Sequence, residues 1–149
     1  MDYIRSAETE GARMIYRGES PAPFDGGFYV SPVIFDRVLP QQRIFQEEIF
    51  GPVLSMTAFH DENEAIRLAN ATRYGLSAIL WTKDLGRAHR VIQQLQAGWI
   101  TVNATERPVG GPAEGVISVG GHKASGIGTE GGVEGLAAYT TSSAVQIFV

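Results

Sequence analysis

The residues with the clearest potential for chemistry lie in one short stretch, where Glu47 and Glu48 are adjacent and Phe50 and a Gly-Pro turn follow. Carboxylates serve as general acids and bases, but on a helix two neighbouring side chains point about a quarter-turn apart. Joint acid–base action on one substrate atom is therefore not expected. From the residues alone, a solvated pair of acids is the simpler interpretation.

A second candidate is the glycine-rich stretch from Val119 to Gly128, whose backbone N–H groups could face an anion such as a phosphate. It has no G-x-x-x-x-G-K-[ST] pattern, and it neither follows a strand nor opens a helix as a dinucleotide-binding fingerprint does. Its composition favours a structural turn. Ser125 lies in this stretch without a local base to activate its hydroxyl, so no catalytic role is expected for it.

Composition excludes several other chemistries. The chain has no cysteine, which excludes disulfides and thiolate nucleophiles, and its three histidines lack the spacing of a metal site, so no metal is predicted. Twelve basic and sixteen acidic residues give a net charge of −4 without runs of one sign, which favours neither nucleic acid nor an anionic membrane as a partner. No membrane span or signal peptide is recognisable, and a cytoplasmic location is predicted.

The elements that must position these residues follow from the periodicity of apolar side chains. After a predicted helix over 2–13, the pattern is most regular over 53–103, where strand, helix, strand, helix and strand alternate. Asp61 and Asp84 stand at helix N-cap positions, and Gly98 is interpreted as the stop of the second helix. This alternation predicts an α/β fold with a mostly parallel β-α-β-α-β sheet covered by helices.

The C-terminal third is less regular. Residues 104–132 are rich in glycine, and a loop of this length in a compact domain is usually functional or an interface. A short helix is predicted around 133–140. The sequence "SAVQIFV" over 143–149 then predicts a final strand, which needs an edge of its own sheet or of a neighbour's sheet.

The motifs E-E-I-F-G-P-V, Y-G-L-S-A and G-G-x-K-x-S-G occur in this order, and the match extends over nearly the whole chain. In this combination the chain resembles the C-terminal third of the aldehyde dehydrogenase superfamily. The resemblance implies an enzyme family in which a cysteine thiolate attacks an aldehyde, a hydride passes to NAD or NADP, and water hydrolyses the resulting thioester. It also implies a partial catalytic domain over 1–140 and an oligomerisation strand over 141–149.

The same resemblance assigns site residues. Glu48 matches the acid that holds the nicotinamide ribose hydroxyls, and a carboxylate suits this role because it can accept two hydrogen bonds from a diol. Phe50 matches the aromatic residue that packs by the nicotinamide. A loop beside the active site is matched by Val119, Gly120, Gly121, Lys123, Ser125 and Gly126. Val119 departs from the pattern, because the family often has an aromatic residue there.

The chain lacks counterparts of the family's nucleophilic cysteine, glutamate base, oxyanion-hole asparagine and cofactor domain. No catalytic residue is therefore assigned, and Glu48 and Phe50 are expected to form an incomplete cofactor site. One hypothesis is a truncated dehydrogenase, in effect a pseudoenzyme, that is inactive alone and holds no cofactor. A second is an assembly module that self-associates through the C-terminal strand. A third is one half of a split enzyme, completed by a full-length or complementary aldehyde dehydrogenase chain. The aldehyde and the choice between NAD and NADP stay open.

Overall fold

A computed structural model describes residues 1–19, 27–104 and 116–148 of the chain. The chain divides into two compact units, Met1–Thr72 and Arg73–Val149. None of the described helices has the length and apolar character that a bilayer crossing requires.

The first unit alternates short helices and strands. Its elements are α1 (Asp2–Thr9), β1 (Arg13–Arg17), β2 (Val33–Asp36), α2 (Arg43–Gln46), β3 (Val53–Ser55) and α3 (Glu62–Ala69). The strands form one sheet in the order β1-β2-β3, in which β1 and β2 are antiparallel and β2 and β3 are parallel. Gly11 follows α1 with a φ of 88°, a conformation that glycine adopts without steric cost and that turns the chain into β1.

One apolar core holds this unit together. It consists of buried side chains from α1, β2 and α2 and from the segments beside them, namely Ile4, Ala7, Ala12, Val33, Phe35, Val38 and Ile44. Phe35 is completely buried, and Ile49 and Val53 pack against the same cluster from the segment that follows α2. The core therefore fixes α2 and the start of β3, which flank the predicted cofactor-facing residues.

The described residues of the second unit form two small sheets and two helices. Its elements are β4 (Tyr74–Gly75), β5 (Ser77–Leu80), α4 (Leu85–Ile92), β6 (Trp99–Val102), β7 (His122–Lys123) and α5 (Gly132–Ala137). β5 and β6 pair in parallel, with α4 as the connecting helix, and β4 pairs antiparallel with β7. Asn103 continues the β5–β6 ladder with its side chain, because its amide accepts from the N–H of Thr82 at 2.9 Å and donates to the Thr82 carbonyl at 2.8 Å.

Much of the sequence-based prediction is confirmed. The α/β class is correct, and Asp61 and Asp84 cap α3 and α4 by accepting from Glu64 N and Arg87 N. The single β-α-β-α-β sheet is not observed in the described residues, because β3 pairs with β2 while β5 pairs with β6. Periodicity identifies strands, but their partners depend on contacts that are distant in sequence.

One further expectation needs correction. Gly98 does not stop α4, which ends at Ile92 with Gln93 as its C-cap; Gly98 lies where β6 begins, and its N–H donates to the Gly75 carbonyl. Residues 141–148 have no assigned strand, since an isolated strand has no ladder to join. The pairing of this segment with a neighbouring sheet, and the division into 1–140 and 141–149, stay predictions. Within the predicted loop over 104–132, residues 105–115 lie outside the described part.

Candidate functional site

The first candidate site is the turn that leads from α2 into β3. α2 is a single helical turn, and it begins beside Gln42, a buried side chain that accepts from the N–H of Leu39 and donates to the carbonyl of Glu10. The helix stops at Glu47, whose backbone is extended with a φ of −111° and a ψ of 146°. From there an irregular segment runs to Pro52, whose carbonyl accepts from the N–H of Val33 at 2.9 Å.

Along this stretch the side chains alternate between anchored and displayed positions. Glu47 is bonded to neighbouring helices, and Ile49 packs against the core. Glu48 is exposed, and within the described part of the chain its carboxylate has neither a hydrogen bond nor an ion pair. Phe50 is 94% exposed and has a φ of 50°, which is uncommon for a bulky residue. The turn thus exposes the Glu48 carboxylate and the Phe50 ring to solvent.

The neighbouring acid, Glu47, is fully engaged in structure. One of its carboxylate oxygens accepts from the Tyr3 hydroxyl at 2.9 Å and from Arg43 Nε at 2.9 Å. The guanidinium of Arg43 also lies over the Tyr3 ring, 4.2 Å from its centroid. The hydrogen bond to Glu47 raises the pKa of Tyr3 above its ordinary value of 10.0, so the phenol stays protonated as a donor. The two adjacent acids therefore differ, because Glu47 is bonded to other side chains and Glu48 is exposed to solvent.

This geometry fits one end of a nicotinamide cofactor. A carboxylate with both oxygens free can accept two hydrogen bonds from a ribose diol, and an exposed ring offers a face for an aromatic base. Glu48 and Phe50 are two residues apart in the same turn, and both are exposed. A hydrogen-bond acceptor and an apolar surface are the kinds of group that a nicotinamide riboside requires, and the assignment of Glu48 and Phe50 to it stays a prediction.

A separate candidate is the glycine-rich loop, which lies in the second unit. β7 lies within this loop, and there Lys123 pairs with Tyr74 and His122 pairs with Gly75. Ser125 then folds back, because its hydroxyl oxygen accepts from the N–H of Gly75 at 2.9 Å. This hydroxyl is thus the hydrogen-bond partner of a buried backbone group.

The glycines of the loop are needed for close backbone packing. A Cβ at Gly120 would lie 2.7 Å from the Gly128 carbonyl oxygen, and one at Gly121 would lie 2.6 Å from the backbone of Ser125. Val119 closes the loop through a pair of 2.8 Å hydrogen bonds between its backbone and that of Glu130. The structural interpretation of this motif is thereby supported, and Val119, Gly120, Gly121, Lys123, Ser125 and Gly126 form one compact turn.

Lys123 departs from this pattern of packing. It is exposed and has a φ of 53°, so it joins Phe50 among the few described non-glycine residues with left-handed backbone. Strained backbone of this kind is concentrated at functional sites, although the strain alone does not identify a ligand. Two of the residues assigned from sequence therefore share an unusual backbone geometry.

Sequence reasoning missed the network around Glu47. Arg43 and Glu47 have the i, i+4 spacing at which opposite charges meet on a helix, and this spacing was the available signal. The contribution of Tyr3 could not be anticipated, since it is 44 residues away from Glu47 in the chain.

Other sites are poorly supported. In the described ranges no three His, Asp or Glu side chains converge as metal ligands. An open groove of ≈ 650 Å³ in the second unit is lined by mainly apolar groups, among them Trp81, Leu85 and Val102. It contains none of the residues assigned from sequence.

Comparison with known proteins places the whole chain among aldehyde dehydrogenases. The sequence model of the aldehyde dehydrogenase family matches residues 1–145. An aldehyde dehydrogenase-like protein of Schizosaccharomyces pombe is 43% identical over 146 residues, which are 98% of this chain and 28% of that protein. The aldehyde dehydrogenase tropH of Talaromyces stipitatus is 41% identical over 152 residues, which are 99% of this chain and 28% of that protein.

Solved structures agree with this assignment. The Mycobacterium tuberculosis aldehyde dehydrogenase complexed with NAD+ has a TM-score of 0.85 and 36% identity, over 94% of this chain and 28% of that one. A mutant of the P. syringae AldA indole-3-acetaldehyde dehydrogenase, in complex with NAD+ and IAA, has a TM-score of 0.82 and 42% identity, over 94% of this chain and 27% of that one. The chain thus spans less than a third of its relatives' length. Because the family match covers nearly all of it, the chain belongs to the aldehyde dehydrogenase family.

Proposed function

We propose that this chain provides the nicotinamide-facing wall and an active-site loop of an aldehyde dehydrogenase catalytic unit, and that the 149-residue chain does not oxidise aldehydes alone. The observation that carries the first part is the turn after α2, where Glu48 and Phe50 are displayed while Glu47 and Ile49 are anchored. A site built for an external ligand needs free polar and apolar groups on a fixed backbone, which this turn supplies.

The second part rests on the missing thiol. The family reaction implied by the resemblance passes through a thioester, and this chain has no cysteine to form one. Ser125 is a poor substitute, because its hydroxyl is engaged by the N–H of Gly75 and no base is bonded to it in the described residues. Glu48, the free acid of the turn, is proposed to bind the cofactor and not to activate a nucleophile.

The cofactor of the completed unit is proposed to be NAD or NADP, which accepts a hydride from the substrate when bound. Glu48 would accept hydrogen bonds from the ribose of its nicotinamide end, and Phe50 would pack beside the ring. The M. tuberculosis and P. syringae relatives were solved with NAD+, which supports this assignment. The isolated chain is expected to hold no cofactor. We also expect the protein to work in the cytoplasm.

The experiment has two arms. In the first, the pure chain is incubated with several aldehydes and with NAD+ or NADP+, and the reduced cofactor is followed by its absorbance. No turnover is expected, and one verified turnover by the pure chain would refute the claim of inactivity.

In the second arm, the chain is co-expressed with the part of P. syringae AldA that it does not match. The same part co-expressed with AldA's own matching segment is the positive control. If the chain completes the unit, the complex turns over, and Glu48→Gln raises the KM for NAD+ more than it lowers kcat. A folded complex whose KM for NAD+ is unchanged by Glu48→Gln would exclude the proposed role of this wall.

A second candidate role is assembly, which the exposed apolar side chains favour. In the described residues, Val145, Ile147 and Phe148 are each at least 80% exposed, and apolar surface of this kind usually marks an interface. We expect a dimer or a larger species by light scattering, and a return to the monomer when residues 143–149 are deleted. A strictly monomeric chain at micromolar concentration would contradict this role.

A further inference from the structure

The turn that displays Glu48 and Phe50 has a backbone that its own sequence does not favour. Phe50 has a φ of 50°, in the left-handed region that bulky residues seldom occupy. Its ring is 94% exposed and gains little from packing. A left-handed conformation of this kind persists only where the surrounding structure enforces it. The contacts that anchor the turn should therefore stabilise this conformation more than the exposed side chains of Glu48 and Phe50 do.

Three anchors are visible. At the C-terminal end, the Gly51 carbonyl accepts from Val53 N at 2.8 Å and the Pro52 carbonyl accepts from Val33 N at 2.9 Å. In the middle, Ile49 packs against the apolar core. At the N-terminal end, the anchor is the side chain of Glu47, whose carboxylate accepts hydrogen bonds from other side chains.

The Glu47 anchor is tertiary and not merely a helical ion pair. Arg43 is its partner within α2, but Tyr3 comes from α1 and donates at 2.9 Å to the same carboxylate oxygen. α1 holds α2 at a second point, where the Glu10 carboxylate accepts from Arg43 N at 2.7 Å and from the Ser6 hydroxyl at 2.5 Å. Arg43 is thus bonded to α1 through its backbone, and its guanidinium lies over the Tyr3 ring.

We propose that Glu47 is a positioning residue, which acts with Tyr3 and Arg43 to hold the Glu48–Phe50 turn in its displayed, left-handed conformation. The identity of the ligand that the turn binds rests on the proposed function, whereas the positioning role of Glu47 does not. Without the carboxylate, the residue after α2 loses this side-chain attachment to α1. The turn is then held by Ile49, by its C-terminal end and by the hydrogen bond that the N–H of residue 47 donates to the Arg43 carbonyl at 2.9 Å.

The test is a comparison of backbone order by NMR in the full 149-residue chain. In the unaltered chain we expect order parameters of about 0.85 for the amides of residues 48–50, the value of a rigid backbone. We also expect the strong intraresidue amide–Hα NOE that a left-handed residue gives at Phe50. In Glu47→Ala, the order parameters should fall below about 0.6 and this NOE should weaken.

Three other variants separate positioning from general stability. Glu47→Gln keeps an acceptor for the Tyr3 hydroxyl and should retain most of the order, while Tyr3→Phe removes one donor and should lose part of it. Arg13→Gln removes the comparably exposed ion pair with Asp36 elsewhere in the same unit and should leave the turn unchanged. If Glu47→Ala is too unstable to study, Tyr3→Phe decides the question, because it keeps the ring. Unchanged order in every variant that folds, or an equal loss in Arg13→Gln, would overturn the positioning role.

The positioning role and the proposed function can fail separately. In the complex with the AldA part, Glu47→Ala should raise the KM for NAD+ with little change in kcat. Loss of order in Glu47→Ala, together with a KM that does not respond to Glu48→Gln, would confirm the positioning and refute the cofactor assignment. A turn that stays ordered in Glu47→Ala overturns the positioning whatever the chain binds.

Discussion

Gly98 lies so close to Gly120 that a Cβ built on Gly98 would be 1.6 Å from the Gly120 carbonyl oxygen. The N–H of Gly98 also donates to the Gly75 carbonyl at 3.0 Å, and a Cβ at Gly75 would lie 2.2 Å from the Gln96 carbonyl oxygen. The start of β6, the strand β4 and the glycine-rich loop are therefore packed backbone against backbone. This packing explains why glycines are needed there without reference to any ligand.

Replacement of Gly98 by alanine should consequently destabilise the second unit. The methyl group cannot be accommodated unless the backbone of the loop moves, and overpacking of this kind costs about 1–3 kcal/mol or more. The matched control is Gly86→Ala in α4 of the same unit, where a Cβ would meet only the side-chain ends of Asp84 and Arg90, at 3.2 and 3.4 Å. Urea unfolding followed by tryptophan fluorescence is the measurement, because both tryptophans, Trp81 and Trp99, lie in this unit. Equal midpoints for the two variants would contradict the close packing.

A related prediction concerns Ser125. Its replacement by alanine leaves the buried N–H of Gly75 without its acceptor, which costs about 1–3 kcal/mol. Ser142→Ala, at an exposed position, should change the free energy of unfolding by less than about 0.5 kcal/mol. The same fluorescence assay compares them. If Ser125 were instead a displayed active-site residue, its removal would affect stability no more than that of Ser142.

The sequence predicts the local features of this fold but not its long-range contacts. Asp61 and Asp84 were identified as helix caps because a cap is a local signal, resolved within three residues. The site assignment of Glu48 and Phe50 rests on a motif and stays a prediction. The bonds between Glu47 and Tyr3, the pairing of β3 with β2, and the packing of Gly98 against Gly120 all join residues far apart in sequence. Local patterns carry no information on such contacts, so only the fold reveals them.

The core of the first unit gives a third prediction. Phe35 is completely buried, and truncation of a buried phenylalanine to alanine costs about 3–5 kcal/mol through lost burial and the cavity that remains. Phe59 is 59% exposed and serves as the matched control. Because the first unit has no tryptophan, far-UV circular dichroism during urea unfolding is the suitable probe. A small, equal effect of the two substitutions would show that the core cluster does not stabilise this unit.

Acid should weaken the fold through its bonded carboxylates. The hydrogen bond from Arg13 lowers the pKa of Asp36, and the hydrogen bond from Arg87 N lowers the pKa of Asp84, both from an ordinary value of 3.8. The backbone hydrogen bond from His60 likewise lowers the pKa of Glu64 from 4.5. A carboxyl whose pKa is lower in the folded state stabilises the fold above its unfolded pKa, and this stabilisation is lost as the pH falls through the folded pKa.

The free energy of unfolding attributable to these groups should therefore be constant between about pH 7 and pH 5.5 and should fall below about pH 4.5. Asp84→Asn is the informative variant, because asparagine can still cap α4 but does not titrate. Its urea-unfolding midpoint should be close to that of the unaltered chain near pH 3 and should differ most near pH 7, with a shallower dependence on pH between the two. Stability that rises on acidification from pH 4.5 to pH 3, in chain and variant alike, would require that the unfolded state bind fewer protons than the folded state, the opposite of what these hydrogen bonds impose.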